Sequence, residues 1–130
     1  SLGWNAKSNA LYATAPVSGA ILLMQPGQGT VRRLATVPKG SGRVSGLAFD
    51  AQGGIWTALC DGWSVVRFTQ DGQLDRVVGL PVPCATDLAF SPVQDEERGE
   101  KLVITTARHS VALDTLPSAP LSGRLVTLTI

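Results

Sequence analysis

The sequence predicts an all-β protein built as a β-propeller, and three observations carry that prediction. Fourteen glycines and eight prolines punctuate the 130 residues too often for long helices. No segment sustains a 3.6-residue apolar period over a dozen residues, whereas short runs rich in β-branched and aromatic residues recur. Those runs also repeat at a spacing of about 40–45 residues, the length of one four-stranded blade.

The apolar runs are Ala20–Met24, Gly46–Phe49, Ile55–Leu59, Val65–Phe68, Asp87–Phe90, Leu102–Thr105 and Arg124–Thr129. Leu11-Tyr12-Ala13-Thr14 matches Ile55-Trp56-Thr57-Ala58 at a spacing of 44, as Ile21–Met24 matches Val65–Phe68. Val37-Pro38 matches Leu80-Pro81 at 43, and Leu47–Asp50 matches Leu88–Ser91 at 41 and Leu2–Asn5 at 45. Leu102–Thr105 and Gly123–Val126 supply the third copy, stretched by the polar insert Gln94–Glu100. Gln52-Gly53-Gly54, Asp61-Gly62 and Asp71-Gly72 carry turn chemistry between strands. The expected architecture is one half-propeller domain over residues 1–130, with three four-stranded blades at about 1–43, 44–84 and 85–130.

Three blades do not close a ring, since closed propellers have about four to eight. A blade buries its faces only against neighbours. The expected partner is therefore a second copy, giving a two-fold 3+3 ring, or a complementary half-propeller.

Composition narrows the function. With 44% hydrophobic and 16% charged residues the chain has material for a core. Formal net charge is +1, and Arg32-Arg33 is the only adjacent basic pair, which argues against a nucleic-acid partner. No apolar run approaches the roughly 20 residues of a membrane-spanning helix. The opening SLGWNAKSN lacks the basic and apolar regions of a signal peptide, so the expected location is cytoplasmic. Cys60 and Cys84 lack metal-type spacing, and with one histidine a zinc site of the Cys/His kind is not expected. A disulfide between them is open but unsupported, because free buried cysteines are common and no secretory signal argues for an oxidising compartment.

Several segments resemble one family. Ser45-Gly46-Leu47-Ala48-Phe49-Asp50-Ala51-Gln52-Gly53-Gly54-Ile55-Trp56 is similar to the PDGxxxDxxGxxW stretch of the gluconolactonase/regucalcin (senescence marker protein) family. Asp61–Phe68 with Asp71-Gly72 looks like its GxVxRFxPDG run, and Leu80–Pro83 with Ala85–Phe90 like its LPVxxxTSxAF. Val103–Arg108 and Pro120–Gly123 resemble its VTSAR and PLAG pieces, and Ser1–Trp4 through Tyr12 its NGLxWSPDGxxLY. The resemblance covers the C-terminal half of a six-bladed propeller. It implies a sugar lactone hydrolase with one divalent cation, calcium or zinc, in the central tunnel. The metal-binding aspartate of that family falls on Ser45, its asparagine ligand would precede Ser1, and its glutamate belongs to the other half. The alternative is a non-catalytic ligand-binding or scaffold half-propeller.

Candidate site residues follow, each beside its ordinary structural role. Asp87, just before an inner strand, is the candidate metal ligand, with two copies facing the axis of a dimer; otherwise it caps a turn or pairs with an arginine. Ser45 is a candidate for small-molecule binding from the tunnel wall, or a turn residue. Arg108 is a candidate for bidentate contact with an anionic ligand. Trp63, in the Asp61–Ser64 turn, is the candidate for stacking on a sugar ring, whereas Trp4 and Trp56 fall on repeated strand positions and are expected to pack blades. His109 is a proton shuttle or a solvated loop residue. Asp50 is expected to close an Asx-type turn rather than bind ligand. Asp95–Lys101 reads as a solvated hairpin tip.

Overall fold

A computed structural model describes residues 1–92 and 99–130. The chain forms three antiparallel sheets in succession, each built from neighbouring strands in chain order. Sheet 1 holds β1 (Leu2–Asn5), β2 (Ala10–Ala15), β3 (Ala20–Met24) and β4 (Val31–Thr36). Sheet 2 holds β5 (Arg43–Phe49), β6 (Ile55–Cys60), β7 (Ser64–Phe68) and β8 (Leu74–Gly79). Sheet 3 holds β9 (Ala85–Phe90), β10 (Lys101–Thr106) and β11 (Val126–Thr129).

Sheet 3 thus departs from the expected four strands: three are formed among the described residues. The stretch 107–125 between β10 and β11 folds instead into successive tight turns, such as Val111 N–H to Arg108 O (3.0 Å) and Thr115 N–H to Ala112 O (2.9 Å). It includes one short 3-10 turn at Leu116–Ser118, and pairing resumes only at Val126. Prolines at 117 and 120 lack the N–H that a strand here would donate. Residues 95–98 of the expected hairpin tip lie outside the described residues.

The repeat read in the sequence is a repeat of hydrogen bonds. Val37 N–H donates to Gly19 O at 2.9 Å, and Leu80 N–H donates to Trp63 O at 2.7 Å. Each bond ties the segment leaving a sheet back to the turn before that sheet's third strand. Both turn residues adopt left-handed backbone, at φ +69° for Gly19 and +52° for Trp63. Glycine does this freely, whereas tryptophan pays a steric penalty.

The sheets stack face to face, which explains their side-chain patterns. Tyr12, Ile21 and Leu23 of sheet 1 pack on Val44, Ile55, Leu59, Val66 and Phe68 of sheet 2. The other face of sheet 2, with Ala48, Trp56, Ala58 and Val65, packs on Leu88, Leu102 and Ile104 of sheet 3. Covered on both faces, β6 is buried at every residue, so it reads as a continuous apolar run rather than an alternation.

Among the described residues, no sheet lies against the far face of sheet 1. The registers align Leu2 with Ala13 and Leu22, and Trp4 with Leu11 and Met24. Leu2 and Trp4 stand 73% and 51% exposed on it. Trp4 therefore packs no blade within this chain, contrary to its expected role. Trp56 does, being fully buried and edge-on to Phe90 at 6.4 Å between ring centroids. Among the described residues no helix is long and apolar enough to cross a membrane.

Candidate functional site

The first strands of the three sheets, β1, β5 and β9, lie side by side. At the end where β5 and β9 begin, these two strands border a cleft of about 560 Å³. Its walls carry Thr14, Arg43, Ser45, Gly46, Thr86, Asp87, His109 and Ser110.

Ser45 sits in a β-bulge. Val44 pairs with Leu59 and Leu47 with Thr57, so Ser45 and Gly46 together oppose Ala58. The bulge leaves carbonyls without ladder partners. The Ser45 hydroxyl meets that need, lying 3.0 Å from Ala58 O and 3.2 Å from Ala85 O, to either of which it donates. Thr14 Oγ1 in turn donates to Ser45 O at 2.8 Å. Ser45 therefore lines the cleft, but its proton is directed at a backbone carbonyl of sheet 2 or sheet 3.

Asp87 reaches across from β9 to β5. Its carboxylate occupies the space that a Cβ on Gly46 would fill, so the glycine permits the approach. Oδ1 accepts the Leu88 N–H at 2.9 Å. Asp87 is exposed and is the only carboxylate on the cleft wall among the described residues.

The other candidates are spread more widely. His109 and Ser110 overhang the cleft from the turn after β10. Arg108 lines an adjoining cleft with Leu116 and Gly123, sharing only Thr86, Ala107 and His109 with the first. Trp63 stands at the same end of sheet 2, 37% exposed, but not on the cleft wall. Its backbone is fixed at both ends, with its N–H on Pro83 O at 3.3 Å.

Asp50, at the opposite end of β5, closes its turn as expected. Oδ1 accepts the N–H groups of Gln52 (3.0 Å) and Gly54 (2.8 Å). Oδ2 accepts Trp56 Nε1 at 2.9 Å and Arg67 Nε at 2.6 Å. Burial opposes its ionisation, but the hydrogen bonds from Arg67, Trp56 and Gly54 prevail and lower the carboxyl from 3.8 to about 2. The hydrogen bond to Asp50 likewise raises Arg67 above its ordinary value, against its own desolvation.

Two features of the cleft were left open or unremarked by the sequence. Cys60 and Cys84 form a disulfide, correcting the expectation of free thiols. The two residues face one another as an isolated antiparallel bridge with Cα atoms 3.9 Å apart, a closeness that their separation of 24 residues does not disclose. The second is Arg43, whose Nη2 lies 3.3 Å from Cys60 Sγ. Its place two residues before Ser45 on an inner strand was the available signal.

The residues present do not fit a divalent cation unaided. Among the described residues no three His, Cys, Asp or Glu side chains gather as a metal site. Asp87 offers one carboxylate, Ser45 is a neutral hydroxyl engaged with carbonyls, and both sulfurs are in the disulfide.

Comparison with known proteins agrees with this architecture. Residues 1–108 match the family described as SMP-30/gluconolactonase/LRE-like region. A 6-deoxy-6-sulfogluconolactonase of Pseudomonas putida is 38% identical over 96 residues, 73% of this chain and 32% of its own length. Regucalcin from Agrobacterium tumefaciens, a calcium-binding protein, superposes with a TM-score of 0.85 at 20% identity, over 100% of this chain and 45% of its own. A luciferin-regenerating enzyme superposes at 0.79 and 20% identity, over 99% and 44%. The chain thus spans about a third of that curated relative and less than half of these folds.

Proposed function

The chain belongs to the SMP-30/gluconolactonase/LRE-like family, and on that premise we propose that it is part of a propeller that binds and hydrolyses a sugar lactone in the cleft bordered by β5 and β9. The observation that carries this reading is the carboxylate of Asp87, the only one on the cleft wall among the described residues, held over Gly46 at the end where the inner strands converge. Opening a lactone adds water to the ring carbonyl and breaks the ring C–O bond; the water's proton goes to an acceptor within hydrogen-bond reach and is handed on to the departing ring oxygen, which leaves as a hydroxyl. Asp87 is that acceptor, and the hydroxyls of Thr86 and Ser110 are suited to a polyhydroxylated ring.

The remaining wall comes from whatever completes the propeller. The unpartnered face of sheet 1, with Leu2, Trp4, Leu11, Leu22 and Met24, supports further sheets stacking on it. Our reading is a second copy in a 3+3 ring, with a complementary half-propeller as the other source. A divalent cation, the expected cofactor, would need ligands from that half as well.

The test has two stages. Light scattering gives the native mass of the 13.6 kDa chain, with about twice that mass expected for a two-fold ring. Hydrolysis of glucono-δ-lactone, with and without divalent ions, then compares wild type with Asp87→Asn. A loss of about 100-fold or more is expected for removing a general base. Equal rates would remove Asp87 from the reaction. A second reading, a non-catalytic ligand-binding half-propeller, is favoured by the engaged Ser45 hydroxyl and would be supported by sugar binding without turnover.

A further inference from the structure

We propose that Arg43 makes this cleft selective for ligands that carry an oxyanion on a sugar-sized polyol, such as a phosphorylated, sulfonated or carboxylated sugar lactone. The inference rests on the cleft being a sugar-binding site and names the class of sugar it takes.

Arg43 is the only arginine or lysine on the cleft wall among the described residues. Its guanidinium is weakly committed. Nη2 contacts the neutral sulfur of Cys60 at 3.3 Å and lies 3.7 Å from Asp61 Oδ2, beyond good hydrogen-bond length. Both partners of that ion pair are 62% exposed, so water screens the attraction. Nε and Nη1 make no hydrogen bond to any described residue.

Arg67 shows what a structural arginine looks like in the same sheet. It is 14% exposed and held between Asp50 at 2.6 Å and Asp75 at 2.7 Å. Arg43 instead lines the cleft with Nε and Nη1 uncommitted, and a guanidinium in that state can bind carboxylate, sulfonate or phosphate through two parallel N–H bonds. The disulfide steadies it there, since Cys60 is paired with Arg43 across β5 and β6 and bonded to Cys84.

The cleft is also asymmetric in charge. Arg43 stands on β5 and Asp87 on β9, with the hydroxyls of Thr86 and Ser110 and the His109 ring completing a polar lining. An anionic substituent is attracted by Arg43 and repelled by Asp87, so charge alone sets which end of a ligand faces the carboxylate.

The experiment is calorimetric binding of two stable probes, glucose 6-phosphate and glucose, to the intact protein in its native assembly at low and moderate salt. Wild type should bind the phosphorylated sugar at least tenfold more tightly, with the advantage shrinking as salt rises. Arg43→Gln should bring the two within twofold while leaving the melting temperature near wild type. Arg43→Lys should retain part of the preference, and Arg108→Gln all of it. A preference that survives Arg43→Gln overturns the proposal, and one lost in Arg108→Gln moves the anion site to the adjoining cleft. Equal binding of both probes by wild type sinks the role of Arg43 but keeps the sugar cleft. Failure to bind either overturns both.

Discussion

The two ends of strand β5 treat polar side chains in opposite ways. At Asp50, five donors from Gln52, Gly54, Trp56 and Arg67 saturate one buried carboxylate. At the bulge end, Asp87 accepts one backbone N–H and stays exposed, and Arg43 holds only long contacts. Both ends carry a carboxylate and an arginine, so composition does not separate them; saturation does. A fully paired charge is fixed to one arrangement and rigidifies the sheet, whereas a partly paired one keeps donors and acceptors for a ligand.

The contrast breaks most sharply at Asp50. Asp50→Ala leaves Arg67 beside a buried void and Trp56 Nε1 without an acceptor, and removing one partner of a buried pair costs about 3–5 kcal/mol. Denaturant unfolding should show that loss, and a loss under about 1 kcal/mol would make this end no different from the surface pair Arg43–Asp61. Acid gives the same answer without mutation. The folded carboxyl is depressed to about 2 from 3.8, so its stabilisation is complete above about 3.8 and disappears as pH falls through 3.8 toward 2. The linked stability is on the order of 2 kcal/mol. Wild type should lose it over that window, and Asp50→Asn should show a flatter acid limb.

The disulfide gives the next effect. It closes a 24-residue separation, and a loop of that length constrains the unfolded chain by about 3 kcal/mol. A Cys60→Ala/Cys84→Ala protein should unfold at correspondingly lower denaturant. Because Cys60 Sγ also steadies Arg43, the damage should fall on the cleft end and leave the acid transition of Asp50 in place. An acid limb that shifts with the cysteines would mean that the two ends are not independent.

The sequence and the structure agree where repetition and periodicity speak. The strands from Ala20, Ile55 and Leu102 were legible as apolar runs, and the Val37-Pro38 and Leu80-Pro81 echo proved to be one hydrogen bond used twice. The Asx turn of Asp50 was legible from Gln52-Gly53-Gly54, but its bond to Arg67, 17 residues away, was not. Outer strands β4 and β8 made no apolar run because most of their residues face solvent. Asp87 was singled out for its place just before an inner strand and Ser45 for the position of the family's metal aspartate, and both line the cleft. The disulfide stayed open because the pairing of Cys60 on β6 with Cys84, just before β9, depends on a cross-strand register that no local pattern encodes. Trp63 was picked for its turn, yet the radial position that keeps it off the cleft wall is a property of the whole sheet.

The smallest effect tests what Ser45 does. Its hydroxyl has one proton and two carbonyls, Ala58 O and Ala85 O, within reach. Ser45→Ala removes that donor and should cost about 1 kcal/mol, with probe binding in the cleft unchanged, because the proton faces backbone rather than ligand. Ser45→Asp should be the worse of the two. Its carboxylate has no proton to donate, so it meets the same two oxygens with a negative charge and is pushed toward Asp87 and the cleft. If Ser45→Asp is instead as stable as wild type and gains divalent-ion-dependent thermal stabilisation, the bulge accommodates a metal-binding carboxylate and the cleft end is a dormant cation site. If Ser45→Ala weakens glucose binding more than it weakens folding, the hydroxyl serves the ligand, and the division between a saturated and an open end must be redrawn at residue 45.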